Sequence, residues 1–131
     1  MLHEELTGEI LGACFEVGKE LGHGFLETVY ERALAVVLRQ RGLEVATQVP
    51  LAVLFRGQVV GEYVADMVVE GQVLVELKAV KALLPEHQAQ VINYLKTTGL
   101  TIGLLVNFGT PRVEYKRCYW TEQEEQDRQD G

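Results

Sequence analysis

Leu6, Ile10, Ala13, Cys14, Val17 and Leu21 recur at three- and four-residue steps. That spacing lines one face of an amphipathic helix, and Gly22 marks where it stops. After the link Gly22-His23-Gly24, a second stripe of Leu26, Val29, Tyr30, Ala33, Leu34, Val37 and Leu38 predicts another helix, ending at Gly42. The pattern then changes. From Glu44 to Val80 the chain is rich in Val, Leu, Tyr and Phe, with breaks at Pro50, Arg56-Gly57 and Glu70-Gly71. This reads as three or four short antiparallel strands joined by tight turns. Val73-Leu74-Val75 is apolar at successive positions, as expected of a central strand covered on both faces. Pro85 suits the first turn of a third helix, where its missing N–H costs nothing. That helix is predicted to run to about Thr98, with Val91, Ile92 and Leu95 inward and Gly99 as its stop. A buried strand over 101–107 and an edge strand over 112–119 complete the order. The expectation is an α/β fold, a mixed sheet flanked by helices.

Charge and composition narrow the picture only a little. The 131 residues are 47% hydrophobic and 24% charged, the balance of a soluble globular chain. No apolar run approaches the length of a membrane span, and a secretory leader is not evident. Cys14 and Cys118 have no metal-binding or redox spacing, which suggests two free thiols and a cytoplasmic protein. Residues 1–121 are expected to form one domain, followed by an acidic, disordered tail over 122–131. That tail holds five acids against Arg128 alone, so it carries −4 of the net −7 and leaves −3 for residues 1–121. A nucleic-acid enzyme normally presents a basic surface. Acids that ligate a cation would have their charge offset by it, so the balance permits a nuclease without arguing for one.

The strongest candidate chemistry is Asp66 followed by Glu76-Leu77-Lys78. Residues two apart on a strand share a face, so Glu76 and Lys78 project together. Magnesium takes hard oxygen ligands, and one or two carboxylates suffice. A lysine beside such a pair would stabilise charge developing on a phosphate. Glu-x-Lys is common as a surface pair, but within an apolar strand these charges need partners or a task. Glu27 falls in the first turn of its helix, where the macrodipole favours an acid. Tyr30, nearly one turn on, reads by default as a core aromatic. His87, Gln90 and Tyr94 line one face of the third helix, which a solvated surface would also explain.

Taken together, these segments resemble a known family. Gly24 to Tyr30 reads Gly-x-x-Glu-x-x-Tyr, similar to the signature of the GxxExxY proteins within the PD-(D/E)XK nuclease superfamily. The resemblance continues through Tyr63 to Val69, Val75 to Ala79, His87 to Leu95 and Gly103 to Phe108. It implies a restriction-endonuclease-like core in αβββαβ order with an extra N-terminal helix. It further implies a divalent-metal-dependent deoxyribonuclease using Mg2+, with Mn2+ able to substitute. Asp66, Glu76 and the Leu77 carbonyl would hold the metal, with Glu27 as a further acid and Lys78 assisting the attack. Gln90 and Tyr94 match a Gln-x-x-x-Tyr motif of the exonuclease-like branch, and Tyr30 and His87 join them as expected substrate contacts. Ala65 stands where the superfamily name has proline. The expected partners are DNA and a second copy in a homodimer. The competing reading is a catalytically inactive nuclease fold serving as a nucleic-acid-binding or regulatory subunit.

The metal-site hypothesis makes a demand on strand register. A two-residue turn at Glu70-Gly71 would pair Asp66 with Val75 and put Asp66 and Glu76 on opposite faces. Pairing Asp66 with Glu76 requires an odd loop such as Glu70-Gly71-Gln72, or a bulge. Gly71 can supply the left-handed residue that such a loop needs.

Overall fold

The computed structural model describes residues 3–122; the expected disordered tail lies outside them except for Glu122. The elements are α1 (Glu4–Leu21), α2 (Glu27–Gln40), β1 (Val45–Phe55), β2 (Gln58–Val69), β3 (Val73–Lys78), α3 (Pro85–Thr98), β4 (Ile102–Asn107) and β5 (Glu114–Tyr119). The strands form one five-stranded sheet in the order β1-β2-β3-β4-β5. Only β3 and β4 pair in parallel, and α3 is the crossover between them. This is the expected mixed α/β order. No helix among the described residues is long and apolar enough to cross a membrane.

Each face of the sheet has its own core. On one side α1 and α2 bury Ile10, Cys14, Val17, Tyr30, Leu34 and Leu38 against Met67, Val75, Leu77 and Leu104. On the other, α3 packs Val91, Tyr94 and Leu95 against Leu51, Ala65, Leu74 and Leu105. β3 lies third of five, with Val73 to Leu77 all buried, as expected of a doubly covered strand. The two cysteines are free and sit in opposite cores. Burial pushes the Cys14 thiol up to about 12 and the Cys118 thiol up to about 11, so neither is poised as a nucleophile.

The largest departure from the expected strand boundaries is at Pro50. Pro50 is not a turn but a member of the 11-residue β1, paired with Val64. β1 is an edge strand, where a residue without an N–H removes no ladder bond.

The β2–β3 connection has the required register. Gln72 N–H donates to the Val69 carbonyl at 3.0 Å, and both Glu70 (φ 55°) and Gly71 (φ 63°) are left-handed. Those angles suit a two-residue turn, yet the first ladder pair is Val69↔Val73, so Gln72 is an extra residue. The series Val69↔Val73, Val68↔Leu74, Met67↔Val75 extrapolates to Asp66 opposite Glu76.

The sheet then forks. β2 pairs with β3 only as far as Met67↔Val75, while β1 and β2 continue together to the tip at Phe55↔Gln58. Before the fork, Val45, Met67 and Val69 face the α1/α2 core; beyond it, Val49, Leu51 and Ala65 face α3. All are odd-numbered, and strict period-two alternation cannot send them to opposite faces. Both strands therefore roll over between Thr47 and Val49 and between Ala65 and Met67. The roll falls on Gln48 and Asp66, the pair missing from the β1–β2 ladder.

Candidate functional site

At the fork, side chains replace the lost ladder bonds. Asp66 N–H donates to Glu76 Oε1 at 2.7 Å, and Leu77 N–H donates to Asp66 Oδ2 at 2.8 Å. Each carboxylate thus holds the neighbouring strand's backbone, and the two acids meet where β2 leaves β3. Glu76 is only 4% exposed, whereas Asp66 and Lys78 are half-buried. Glu27, the first residue of α2, comes within electrostatic reach of Asp66, Glu76 and Lys78. The structure therefore brings together Asp66, Glu76, Lys78 and Glu27 as the sequence suggested.

The acids are held against their preferred ionisation. Burial, then the Asp66 charge, pushes Glu76 up to about 8; the Asp66 N–H and Lys78 offset only part of this. Asp66 is raised by burial, with the Leu77 N–H working against it and the Glu31 charge adding to it. Glu27 is raised by burial and then by Asp66. Desolvated, mutually repelling carboxylates are costly unless protons or a cation neutralise them. Their hard oxygens suit a divalent ion. Among the described residues no group of three or more His, Cys, Asp or Glu side chains is assembled as a ready cage. An ion here would take much of its coordination from backbone, water and substrate, as magnesium commonly does.

A cavity of about 560 Å³ opens between the β1–β2 ribbon and α3, lined by Val53 and Tyr63 from the ribbon and Gln90, Asn93, Tyr94 and Thr97 from the helix. Tyr63 is half-exposed (49%) and its ring lies 5.8 Å from that of Tyr94. The Tyr94 hydroxyl is raised by burial, then by the charges of Glu76 and Asp66, which places this groove next to the fork. Gln90 and Tyr94 thus face a groove and not bulk solvent.

The other two expected substrate contacts, Tyr30 and His87, are not among the residues lining the groove. Tyr30 is fully buried, its ring stacked on Phe108 at 4.7 Å; its hydroxyl donates to the Gly22 carbonyl at 2.6 Å and accepts Phe25 N–H at 3.2 Å. It fastens the link that delivers Glu27. Removing the hydroxyl in Tyr30→Phe is expected to cost about 1–2 kcal/mol in denaturant unfolding, because two backbone groups lose their partner. His87 Nδ1 accepts Leu84 N–H at 3.0 Å, so the ring caps the start of α3, and it is not among the residues lining the groove.

Four contributors were missed. Glu31 lies four residues after Glu27, a helical spacing that could have revealed it. Tyr63 stands two residues before Ala65 on the ribbon. Gln48 carried no sequence signal; its backbone is left-handed at φ 51°, a strain of roughly 1–3 kcal/mol in a non-glycine residue. Asn107, fully buried, continues the β3–β4 ladder with its side chain: Oδ1 accepts Val80 N–H at 3.0 Å and Nδ2 donates to Val80 O at 2.9 Å. It thereby fixes the exit of the strand that carries Lys78. Asn107→Ala would strand both Val80 groups and should cost about 2–3 kcal/mol, read from chemical denaturation.

A family model for the PD-(D/E)XK nuclease superfamily matches residues 4–118. Among solved structures, the crystal structure of SSO0001 is similar with a TM-score of 0.58 and 20% identity, over 76% of this chain and 52% of that one. At that identity the likeness concerns the fold alone, and this chain spans about half of that protein. No curated protein matches the sequence.

Proposed function

The chain belongs to the PD-(D/E)XK nuclease superfamily, and from that premise we propose that it is a divalent-metal-dependent nuclease hydrolysing DNA phosphodiester bonds. The observation that carries the reading is the fork, where Asp66 and Glu76 from separate strands meet beside Lys78. A bound Mg2+, or Mn2+ in its place, supplies positive charge to the phosphate and makes water a better nucleophile. Asp66, Glu76 and the Leu77 carbonyl would hold the ion, with Glu27 a further acid at the edge of the site. The Lys78 ammonium offsets negative charge that builds on the phosphoryl oxygens. Gln90 and Tyr94 position the strand through neutral hydrogen bonds, and the exposed Tyr63 ring offers a base a stacking surface. Membership of the GxxExxY proteins, carried by Gly24, Glu27 and Tyr30, is part of the same proposal.

Purified protein incubated with plasmid, linear duplex, single-stranded and branched DNA should yield products with Mg2+ or Mn2+ and none with chelator. A second reading, an inactive nuclease fold that binds or regulates, is favoured by the net charge of −7. It is the reading left standing if every substrate survives in the presence of metal.

A further inference from the structure

Three observations converge on Gln48. It stands opposite Asp66, at the gap in the β1–β2 ladder between Thr47↔Met67 and Val49↔Ala65. Its backbone is left-handed in mid-strand, φ 51°, a conformation that glycine or asparagine would adopt at lower cost. Its side-chain amide donates to Glu31 Oε1 at 2.6 Å. Glu31 is the residue on α2 whose charge acts on both Asp66 and Glu27.

The backbone roll alone does not call for glutamine. A glycine would roll more easily, so the side chain has a separate task. Across the fork, it joins the strand pair that carries Asp66 to the helix that carries Glu27. A neutral amide suits that position, because it orients the Glu31 carboxylate without cancelling its charge as a lysine or arginine would.

We propose that Gln48 is a positioning residue: its hydrogen bond to Glu31 latches the rolled β1–β2 ribbon onto α2 and so fixes Asp66 relative to Glu27. The consequence for metal binding rests on the nuclease reading, while the latch itself rests on geometry alone. The half-saturating Mn2+ concentration should rise without Gln48, by less than the ~10–100-fold typical when a partner bonded directly to a metal ligand is removed.

The test separates side chain from backbone. Gln48→Gly keeps the left-handed turn and should fold at least as well as the natural protein, yet it loses the latch. The Asp66 and Leu77 amides, both bonded to site carboxylates, should then exchange with solvent at least ~10-fold faster by NMR, while the buried Val75 and Leu104 amides stay unchanged. The double variant Glu31→Gln with Gln48→Glu exchanges donor for acceptor across the same contact and should restore most of the protection. Unchanged Asp66 and Leu77 exchange in Gln48→Gly overturns the proposal, as does a double variant that recovers nothing. A natural protein that cleaves no DNA but shows the expected exchange pattern removes the nuclease reading and leaves the latch standing.

Discussion

Lys78→Ala is expected to lower DNA cleavage by at least ~10²–10³-fold, the usual loss when one stabilising donor is taken from a developing oxyanion. The variant should still fold. Lys78 is half-buried at the end of β3, and its carbonyl, which accepts Phe108 N–H at 2.8 Å, belongs to the backbone and survives the substitution. The Asn107 side chain continues to hold Val80 beyond it. What is lost is the ammonium, whose charge favours ionisation of Glu27, Asp66 and Glu76 alike and so works against the burial that suppresses it. Single-turnover rates at saturating metal should show the loss, with unfolding free energy changed by less than about 1 kcal/mol, as befits a side chain outside the buried core. A rate equal to the natural protein's would remove Lys78 from the chemistry.

Glu76→Gln should abolish cleavage and at the same time stabilise the metal-free protein at high pH. Folded Glu76 titrates at about 8, far above its ordinary 4.5, because it is buried next to Asp66. Between those two values the native state holds a proton that the unfolded chain has released. Stability from this group is therefore fully present below about pH 4.5 and is lost as pH rises through about 8. The loss is on the order of a few kcal/mol, and the raised Asp66 and Glu27 carboxyls slope the same way. Glutamine keeps an oxygen for Asp66 N–H but has no proton to lose. Chelator-treated natural protein should thus melt at falling temperature from pH 5 to 9, and Glu76→Gln should flatten most of that slope. Added magnesium should raise the melting temperature of the natural protein at pH 8 and leave the variant's little changed, since ligand binding to the native state alone stabilises it. Identical pH profiles for the two proteins would contradict the burial argument.

The features legible in the sequence were those set by local rules. Three-and-four spacing located all three helices, Pro85 and Gly99 bracketed α3, and the continuous apolar run located β3. Register was legible by inference, because only an odd loop at Glu70 to Gln72 places Asp66 opposite Glu76. The roll at Gln48 and Asp66 was not legible. It depends on α3 drawing the far half of the ribbon to its own side of the sheet, and no window of the β1 sequence records that. Pro50 misled for a related reason: proline signals a turn locally, but an edge strand tolerates it. Tyr30 and His87 lay on the expected elements, yet nearby backbone groups take up the Tyr30 hydroxyl and the His87 Nδ1. Sequence spacing tells which face a residue occupies, not whether its hydrogen-bonding capacity is already used.

The central claim is that the fork where β2 leaves β3 is a metal-dependent phosphodiesterase centre. The most direct measurement is single-turnover cleavage of an end-labelled DNA oligonucleotide across a magnesium titration, run in parallel for the natural protein and Glu76→Gln. The expected result is product that rises saturably with magnesium, disappears on chelation, and is absent from the variant throughout. Equal cleavage by the variant, or cleavage by the natural protein in chelator, would contradict the claim.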